Sequence, residues 1–461
     1  MSESKGYLEE KQVNAPGTIG EGGKRLWIYP DRRKGPRATK RGLLALFLFA
    51  FYIFAPWLEI AGRPLIRIDI LEQKAFLFGL VLQMNEYSYI FFVLLALALG
   101  LFLITTLRGR IWCGYACPQT VFVEWIIRPI EEFLEGPAIK RFKNDRSKIT
   151  PQLAFRKTLK HICFFAVALL AANLFLGFFV DPKLVLSWVI NPPSNHPTAF
   201  GLVMGMTALM YFDLAWFREQ FCSFICPYAR FQSALLDNHS PSVVYDFKRG
   251  EPRGKGKKDD IGDCIDCGLC HRVCPTGIDI RNGLQLECIQ CERCVDACES
   301  VMINLKRPVG LIRITPPHTI EGEKQLPFWR RVRVWVYSLL IVAVAGSGSL
   351  KVVSRDPVSL TILRTPGAAY ANMPDGRHSN MFQVRFLNNT GQKQAMVILQ
   401  ESKDKNAFEI ICPGCGQEIA PYSEVSAPMI VIFDKKETQK SLEIKAGPGD
   451  DFQSYLVPII H

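Results

Sequence analysis

The stretch Cys264-Ile-Asp-Cys267-Gly-Leu-Cys270-His-Arg-Val-Cys274-Pro275, followed by Cys288-Ile-Gln-Cys291-Glu-Arg-Cys294-Val-Asp-Ala-Cys298, decides how the rest of the chain is read. Both halves follow C-x2-C-x2-C-x3-C, the spacing with which thiolates hold [4Fe–4S] clusters in pairs. Three closely spaced thiolates wrap one face of a cubane, and the fourth, three residues on, turns away to the other cluster. Cys264, Cys267, Cys270 and Cys298 are therefore assigned to one [4Fe–4S] cluster, and Cys274, Cys288, Cys291 and Cys294 to the second. Pro275 follows the first quartet. Glu299 stands where a second proline often would, a departure that leaves the ligands intact. Structural zinc wants four ligands per site in paired C-x2-C units, a poor match to a doubled eight-cysteine run.

The surrounding chain is apolar. Of 461 residues, 49% are hydrophobic, 21% are charged and 31 are phenylalanine, which excludes a disordered or coiled-coil chain. A membrane-crossing helix needs about 20 mostly apolar residues. Five stretches meet that need: Leu43 to Ile60, Tyr89 to Leu107, Ile162 to Val180, Ala199 to Phe217 and Val334 to Leu350. Lysine and arginine in the flanks set the orientation. Residues 1–42 carry ten, 63–87 three, 108–160 eleven, and 181–198 only Lys183. The alternation puts the N-terminus, the 108–160 loop and everything from about 218 to 333 in the cytoplasm. Residues 354–461 lie outside if the fifth helix crosses. The 42-residue charged leader is too long for a cleaved signal peptide. The net charge of +12 is then the positive-inside excess, and nucleic acid is not an expected partner. A cytoplasmic cluster stretch also keeps its thiols reduced and free to bind iron.

Two further cysteine pairs form an internal repeat. Trp112-Cys113-Gly-Tyr115-Ala-Cys117-Pro118 follows the second span, and Phe221-Cys222-Ser-Phe224-Ile-Cys226-Pro227 follows the fourth. Phe122 and Phe231 match beyond the prolines. Two spans separate the copies, so both motifs belong at the same cytoplasmic face. Proline disfavours helix at the residue before it, so each pair is expected at a helix end. Cys113, Cys117, Cys222 and Cys226 are the candidate catalytic thiols, able to ligate a soft metal ion or to act as redox dithiols. Inert packing cysteines are the alternative.

The other features read more plainly. Cys163 in the third span is a packing residue. Cys412-Pro-Gly-Cys415 reads as a local disulfide or an exposed thiol pair. Asp213, near the end of the fourth span, is expected to pair with Arg218 or to reach the interface. Met206 and Met210 share a helix face and read as packing, with thioether ligation of copper as the minor reading. His161 and His196 read as interfacial. From residue 355 the pattern changes: Met381 to Leu387 alternates, Asn388-Asn-Thr-Gly391 turns, and 395–399, 408–411, 429–433 and 441–444 follow as short strands. That spacing predicts a small β-sandwich. The domain order is a basic arm (1–42), a four-helix membrane bundle (43–240), a linker (241–262), the dicluster domain (263–310), a second linker (311–333), the fifth span (334–353) and the β domain (354–461). The fold class is thus an α-helical membrane bundle of five transmembrane helices, with a cytoplasmic two-cluster domain and a C-terminal β-sandwich.

This combination resembles the FixG/RdxA/CcoG family of cytochrome c oxidase accessory proteins. The likeness runs over nearly the whole chain, from Trp27-Ile-Tyr-Pro30 in the basic arm, through the two C-x3-C-P motifs and the ferredoxin insert, to an immunoglobulin-like tail. The bundle and ferredoxin part is also similar to the NapH and NosR electron-transfer proteins. The resemblance implies a multi-pass protein of the bacterial inner membrane with a periplasmic tail, acting in maturation of cbb3-type oxidases. It implies reduction of Cu(II) to Cu(I), with the eight cysteines from Cys264 to Cys298 as cluster ligands. Cys113, Cys117, Cys222 and Cys226 become candidates for copper handling. Implied partners are a cytoplasmic electron donor, copper chaperones or oxidase assembly components, and a second copy of the chain. The alternatives are a conduit to quinone or a periplasmic partner, and a non-catalytic redox-sensing scaffold. Nothing in the resemblance reaches Cys412 and Cys415.

Overall fold

Runs of leucine, phenylalanine and alanine with no charge make helices that need no polar face. In the computed structural model they form, among the described residues, five helices long and apolar enough to cross a membrane: Pro36–Trp57, Tyr89–Arg108, Pro151–Leu176, Pro197–Phe217 and Val332–Val353. Proline opens three of them, where its missing N–H costs nothing. Their outer faces leave large apolar side chains exposed, among them Leu46, Phe47, Leu94, Leu97, Leu209 and Leu339. Such faces suit hydrocarbon rather than water. The structure describes residues 25–461 except 61, 70–73, 79, 84–86, 237–238, 255–260, 355–357, 366–370, 374–375, 391, 401–407, 415, 435–440, 449–452 and 460–461.

The segments between spans gather at two ends. At the end with few lysines and arginines, Ile66–Asp69, Lys74–Leu77 and Leu80–Gln83 form an antiparallel three-stranded meander. This segment was expected as plain loop, although Ile66-Arg-Ile-Asp69 alternates. The Ile68 N–H donates to the Phe178 carbonyl at 2.8 Å, and Arg67 pairs with Asp181 at 3.2 Å, so the 63–87 and 181–198 segments share this end. The basic arm, the 108–150 segment and the dicluster unit meet at the other.

The two expected linkers turn out to be structural. Ser242–Tyr245, all four buried, pairs antiparallel with Ile312–Thr315. Val243, Tyr245, Leu311 and Ile312 share a core with Cys264, Cys270, Val295 and Met302. Four buried residues in a row carry no alternation, so the strand was invisible to periodicity.

Charge fastens the dicluster unit to the bundle. Glu124, buried just beyond the first C-x3-C-P loop, lies 2.7 Å from Arg128 and 2.6 Å from Arg293 on the dicluster helix Arg293–Asn304. Burial alone would push its carboxyl up, but Arg293 and Arg128 together outweigh that and hold it below the usual carboxylate range. Arg128 also pairs with Glu219 and donates to the Pro275 carbonyl at 3.1 Å. On the basic arm, Arg37 pairs with Glu292, Asp296 and Glu299.

The second unit, Ser349–His461, holds two antiparallel sheets. One orders its strands Phe408–Ile411, Glu424–Phe433, His378–Asn388 and Val358–Arg364, with Ala371–Asn372 also on His378–Asn388. The other orders Glu418–Ile419, Gln394–Gln400, Ser441–Pro448 and Gln453–Pro458. Phe382, Val384, Phe386, Met429 and Val431 of the first sheet share one core with Leu442, Ile444 and Val457 of the second. Buried Asn388 makes the expected turn: its Oδ1 accepts from the Thr390 N–H at 2.9 Å and its amide donates to the Gln392 carbonyl at 2.7 Å.

Removing one partner of a buried ion network leaves the others uncompensated. Glu124→Gln is therefore expected to cost about 3–5 kcal/mol in denaturant unfolding of the detergent-solubilised protein. The Glu124 contribution is present above the ordinary carboxylate range and is lost as pH falls through its depressed value. A variant as stable as the parent at neutral pH would contradict this role.

Candidate iron–sulfur and thiol centre

The two halves of the eight-cysteine run fold alike. Asp266 (φ 52°) and Gly268 (φ 64°) in the first loop match Gln290 (φ 54°) and Glu292 (φ 62°) in the second. These left-handed residues curl each loop so that successive thiols turn inward, and helices Leu269–Arg272 and Arg293–Asn304 follow at once. Glycine occupies only one of the four positions, so the curl had little sequence signal.

The thiols line two cavities. One is lined by Cys264, Cys267, Cys270 and Cys298, with Leu269, Arg281 and Ile312. The other is lined by Cys274, Cys288, Cys291 and Cys294, and Cys270 also borders it. The fourth cysteine of each half thus faces the other half's trio. Burial pushes the Cys288 and Cys298 thiols up to about 12 and raises Cys270, Cys291 and Cys294 as well. Thiols packed this way are poor anions on their own, and cationic iron is what would hold them as thiolates. Among the described residues no three His, Cys, Asp or Glu side chains form a site for a single metal ion. Four soft donors around one cavity suit a polynuclear cluster.

The C-x3-C-P loops repeat in backbone detail. Gly109 (φ 67°) and Arg218 (φ 44°), each three residues before its motif's aromatic, both turn left-handed. Arg218 holds that conformation through its Nε to the Leu214 carbonyl and an Arg218–Glu131 ion pair at 2.7 Å. Cys117 N–H donates to the Trp112 carbonyl at 2.8 Å, and Cys226 N–H to the Phe221 carbonyl at 2.9 Å. Cys117 and Cys226 are each the N-cap of a proline-opened helix, Pro118–Phe122 and Pro227–Leu235, as the proline rule predicts.

The residue after each proline crosses to the other copy. Gln119 donates to Asp213 Oδ1 at 3.1 Å and to the Arg218 carbonyl at 3.2 Å, while Tyr228 Oη meets Thr105 Oγ1 at 2.7 Å. These contacts hold the two thiol loops at one face, near enough for their cysteines to act on one another. Burial drives Cys222 up, and Cys117, Cys113 and Cys226 add to the push. Cys113 is pushed up to about 12, mainly by burial, and its thiol faces Gln232 Oε1 at 3.4 Å. Gln232, fully buried, and the Gln119–Tyr228 clasp are contacts that sequence reading missed. The i, i+1 position after each proline was the available signal.

The thiol loop abuts the second cavity. Gln290 Oε1 accepts from Arg110 N–H at 2.7 Å, and its amide donates to the Arg108 carbonyl at 3.0 Å. Gly114 lies so close that a Cβ there would stand 2.6 Å from the Ile289 carbonyl and 2.7 Å from that of Gln290. Arg41 from the first span donates to the Gly114 carbonyl at 2.9 Å.

The remaining expectations divide. Asp213 is bonded by Gln119, and the guanidinium expected to pair with it lies on Glu131 instead. The matched aromatics diverge: Phe122 packs edge-on against Phe49 and Tyr52, whereas Phe231 is 64% exposed. His161 meets Tyr211 at 2.9 Å, and Cys163 is a half-buried free thiol. Cys412 is disulfide-bonded, and Cys415 lies outside the described residues.

Comparison with known proteins gives three family matches. Residues 217–316 match a 4Fe-4S dicluster domain, residues 90–136 a 4Fe-4S binding domain, and residues 349–453 the IG-like fold at the C-terminus of FixG. RdxA of Cereibacter sphaeroides is 33% identical over 377 residues, covering 79% of this chain and 80% of RdxA. The nitrogen fixation protein FixG of Rhizobium meliloti is 32% identical over 430 residues, covering 83% of this chain and 81% of FixG. The ferredoxin-type protein NapH of Haemophilus influenzae is 24% identical over 211 residues, 42% of this chain and 60% of NapH.

The crossed arrangement of fourth cysteines has a direct test. Cys298→Ser should disturb the cluster signal that Cys267→Ser disturbs, and Cys274→Ser the one that Cys291→Ser disturbs, in EPR spectra of the reduced protein. If Cys298→Ser instead perturbs the Cys291 signal, the pairing is wrong.

Proposed function

The chain belongs to the FixG/RdxA family of iron–sulfur electron-transfer proteins, and from that membership we propose that it reduces Cu(II) to Cu(I) in the maturation of a cbb3-type cytochrome c oxidase. The observation that carries this reading is the convergence of Cys113, Cys117, Cys222 and Cys226 beside a cavity lined by Cys274, Cys288, Cys291 and Cys294. Clusters bound in the two cavities would supply one-electron storage within the protein. Each Cu(II) takes one electron and leaves as Cu(I). Soft thiols favour Cu(I) over Cu(II), which biases the mouth toward the product. Copper is the substrate here, and the chain's part is to present soft thiols to it beside the second cavity. Gln232 holds the Cys113 thiol, and the Gln119 and Tyr228 contacts fix the two loops against each other.

The lysine and arginine distribution supports a bacterial inner-membrane protein with its N-terminus and dicluster unit in the cytoplasm and residues 354–461 in the periplasm. Electrons then come from a soluble cytoplasmic one-electron donor. The outward partners are copper chaperones or oxidase assembly components. The similarity to NapH, confined to less than half of the chain, favours a second reading, a conduit to quinone.

Anaerobic mixing of dithionite-reduced protein with Cu(II) tests the proposal. Cu(II) should reoxidise the protein and appear as Cu(I), and Cys113→Ser with Cys222→Ser should abolish this while iron content stays at the parent level. Reoxidation by a quinone alone supports the conduit, and reoxidation by neither leaves a scaffold.

A further inference from the structure

The two cluster loops have the same backbone but opposite surroundings. In the first loop Cys267 is exposed, and Asp266 points outward to pair with Arg281, its side chain 59% exposed. At the equivalent place in the second loop Gln290 is buried, 4% exposed. Its amide bridges the Arg108 carbonyl and the Arg110 N–H, on either side of Gly109, whose left-handed turn starts the thiol loop. The Gly114 backbone rests on the Ile289 and Gln290 carbonyls. Cys113 is thus one residue from a backbone contact with the loop that carries Cys288 and Cys291, and no comparable contact is seen from the Cys264–Cys270 loop among the described residues.

We propose that the two cavities have a fixed order. Electrons enter at the exposed Cys267 face from a soluble one-electron donor and leave toward Cys113 from the cavity lined by Cys274, Cys288, Cys291 and Cys294. Gln290 is the positioning residue that holds this exit against the thiol loop. The inference deepens the copper-reduction reading and rests on it for the acceptor. The balance is one electron from the donor, one through each cavity in turn, and one to Cu(II), which leaves as Cu(I). Gln290 suits the task because its side chain both donates and accepts, so one residue fixes both ends of the Gly109 turn. A carboxylate at that position, such as Asp266 in the other loop, could accept but not donate.

The test uses the full-length, cluster-containing protein in detergent. Gln290→Leu removes both bonds, Gln290→Glu keeps the acceptor for Arg110 N–H, and Asp266→Leu is the matched control in the other loop. Gln290→Leu should keep its iron and shift only the EPR signal that Cys291→Ser disturbs. It should also speed alkylation of Cys113 and slow reoxidation by Cu(II) about ten- to a hundredfold, the scale of a small misplacement of reacting partners. Gln290→Glu should recover part of each change, and Asp266→Leu should leave the Cys291 signal and the alkylation of Cys113 at parent values. If Gln290→Leu loses its iron, Gly114→Ala serves instead, because its Cβ wedges the same two loops apart. The proposal is overturned if Asp266→Leu speeds alkylation of Cys113 as much as Gln290→Leu, or if Gln290→Leu shifts the Cys267 signal or none. Should the parent not reduce Cu(II) at all, the functional reading fails, while the EPR and alkylation measurements still decide the place of Gln290.

Discussion

A single buried carboxylate ties the redox unit to the membrane bundle. Glu124 is buried and held between Arg128 of the bundle and Arg293 of the dicluster helix. Two guanidiniums around one carboxylate leave positive charge over, and Glu219 on the fourth-span side takes up Arg128. The chain therefore cannot separate its two halves without exposing charges whose geometry was set by both. Arg41 and Arg37 extend the same lock into the first span and the basic arm. The contact between Gln290 and the Gly109 turn depends on this lock, as does the approach of the thiol loop to the second cavity.

The two internal repeats meet at that contact. The dicluster run repeats its loop with Asp266 in one copy and Gln290 in the other, and the bundle repeats its loop with Gly109 in one copy and Arg218 in the other. Each duplication has kept these backbone turns while its side chains follow what they touch. Where the loop faces solvent, a charged residue pairs with Arg281. Where it faces the bundle, an amide spans a turn. The same logic applies to Phe122 and Phe231, which share a position in the repeat but not a neighbour.

Much of this was legible in the sequence. Spacing alone paired Cys298 with the first trio and Cys274 with the second, and the cavities group those same thiols. Proline after Cys117 and Cys226 announced a helix boundary, and charge-free runs announced the spans. Other features were hidden for physical reasons. Ser242–Tyr245 is buried on both faces and so shows no period. The partner of Asp213 comes from the other copy of the repeat, a contact with no sequence proximity. Gln290 and Gln232 are single polar residues whose meaning lies in the carbonyls, N–H groups and thiols that the fold places around them.

The central claim is spatial: the cavity lined by Cys274, Cys288, Cys291 and Cys294 stands against the bundle thiols, and the other faces outward. Iron-edge anomalous diffraction from crystals of the cluster-containing protein would locate both sets of iron atoms relative to the protein. The account predicts that the iron next to Cys288 and Cys291 lies nearer to the Cys113 sulfur than the iron next to Cys264 and Cys267. Iron equally distant in the two cavities, or nearer on the Cys267 side, would contradict it.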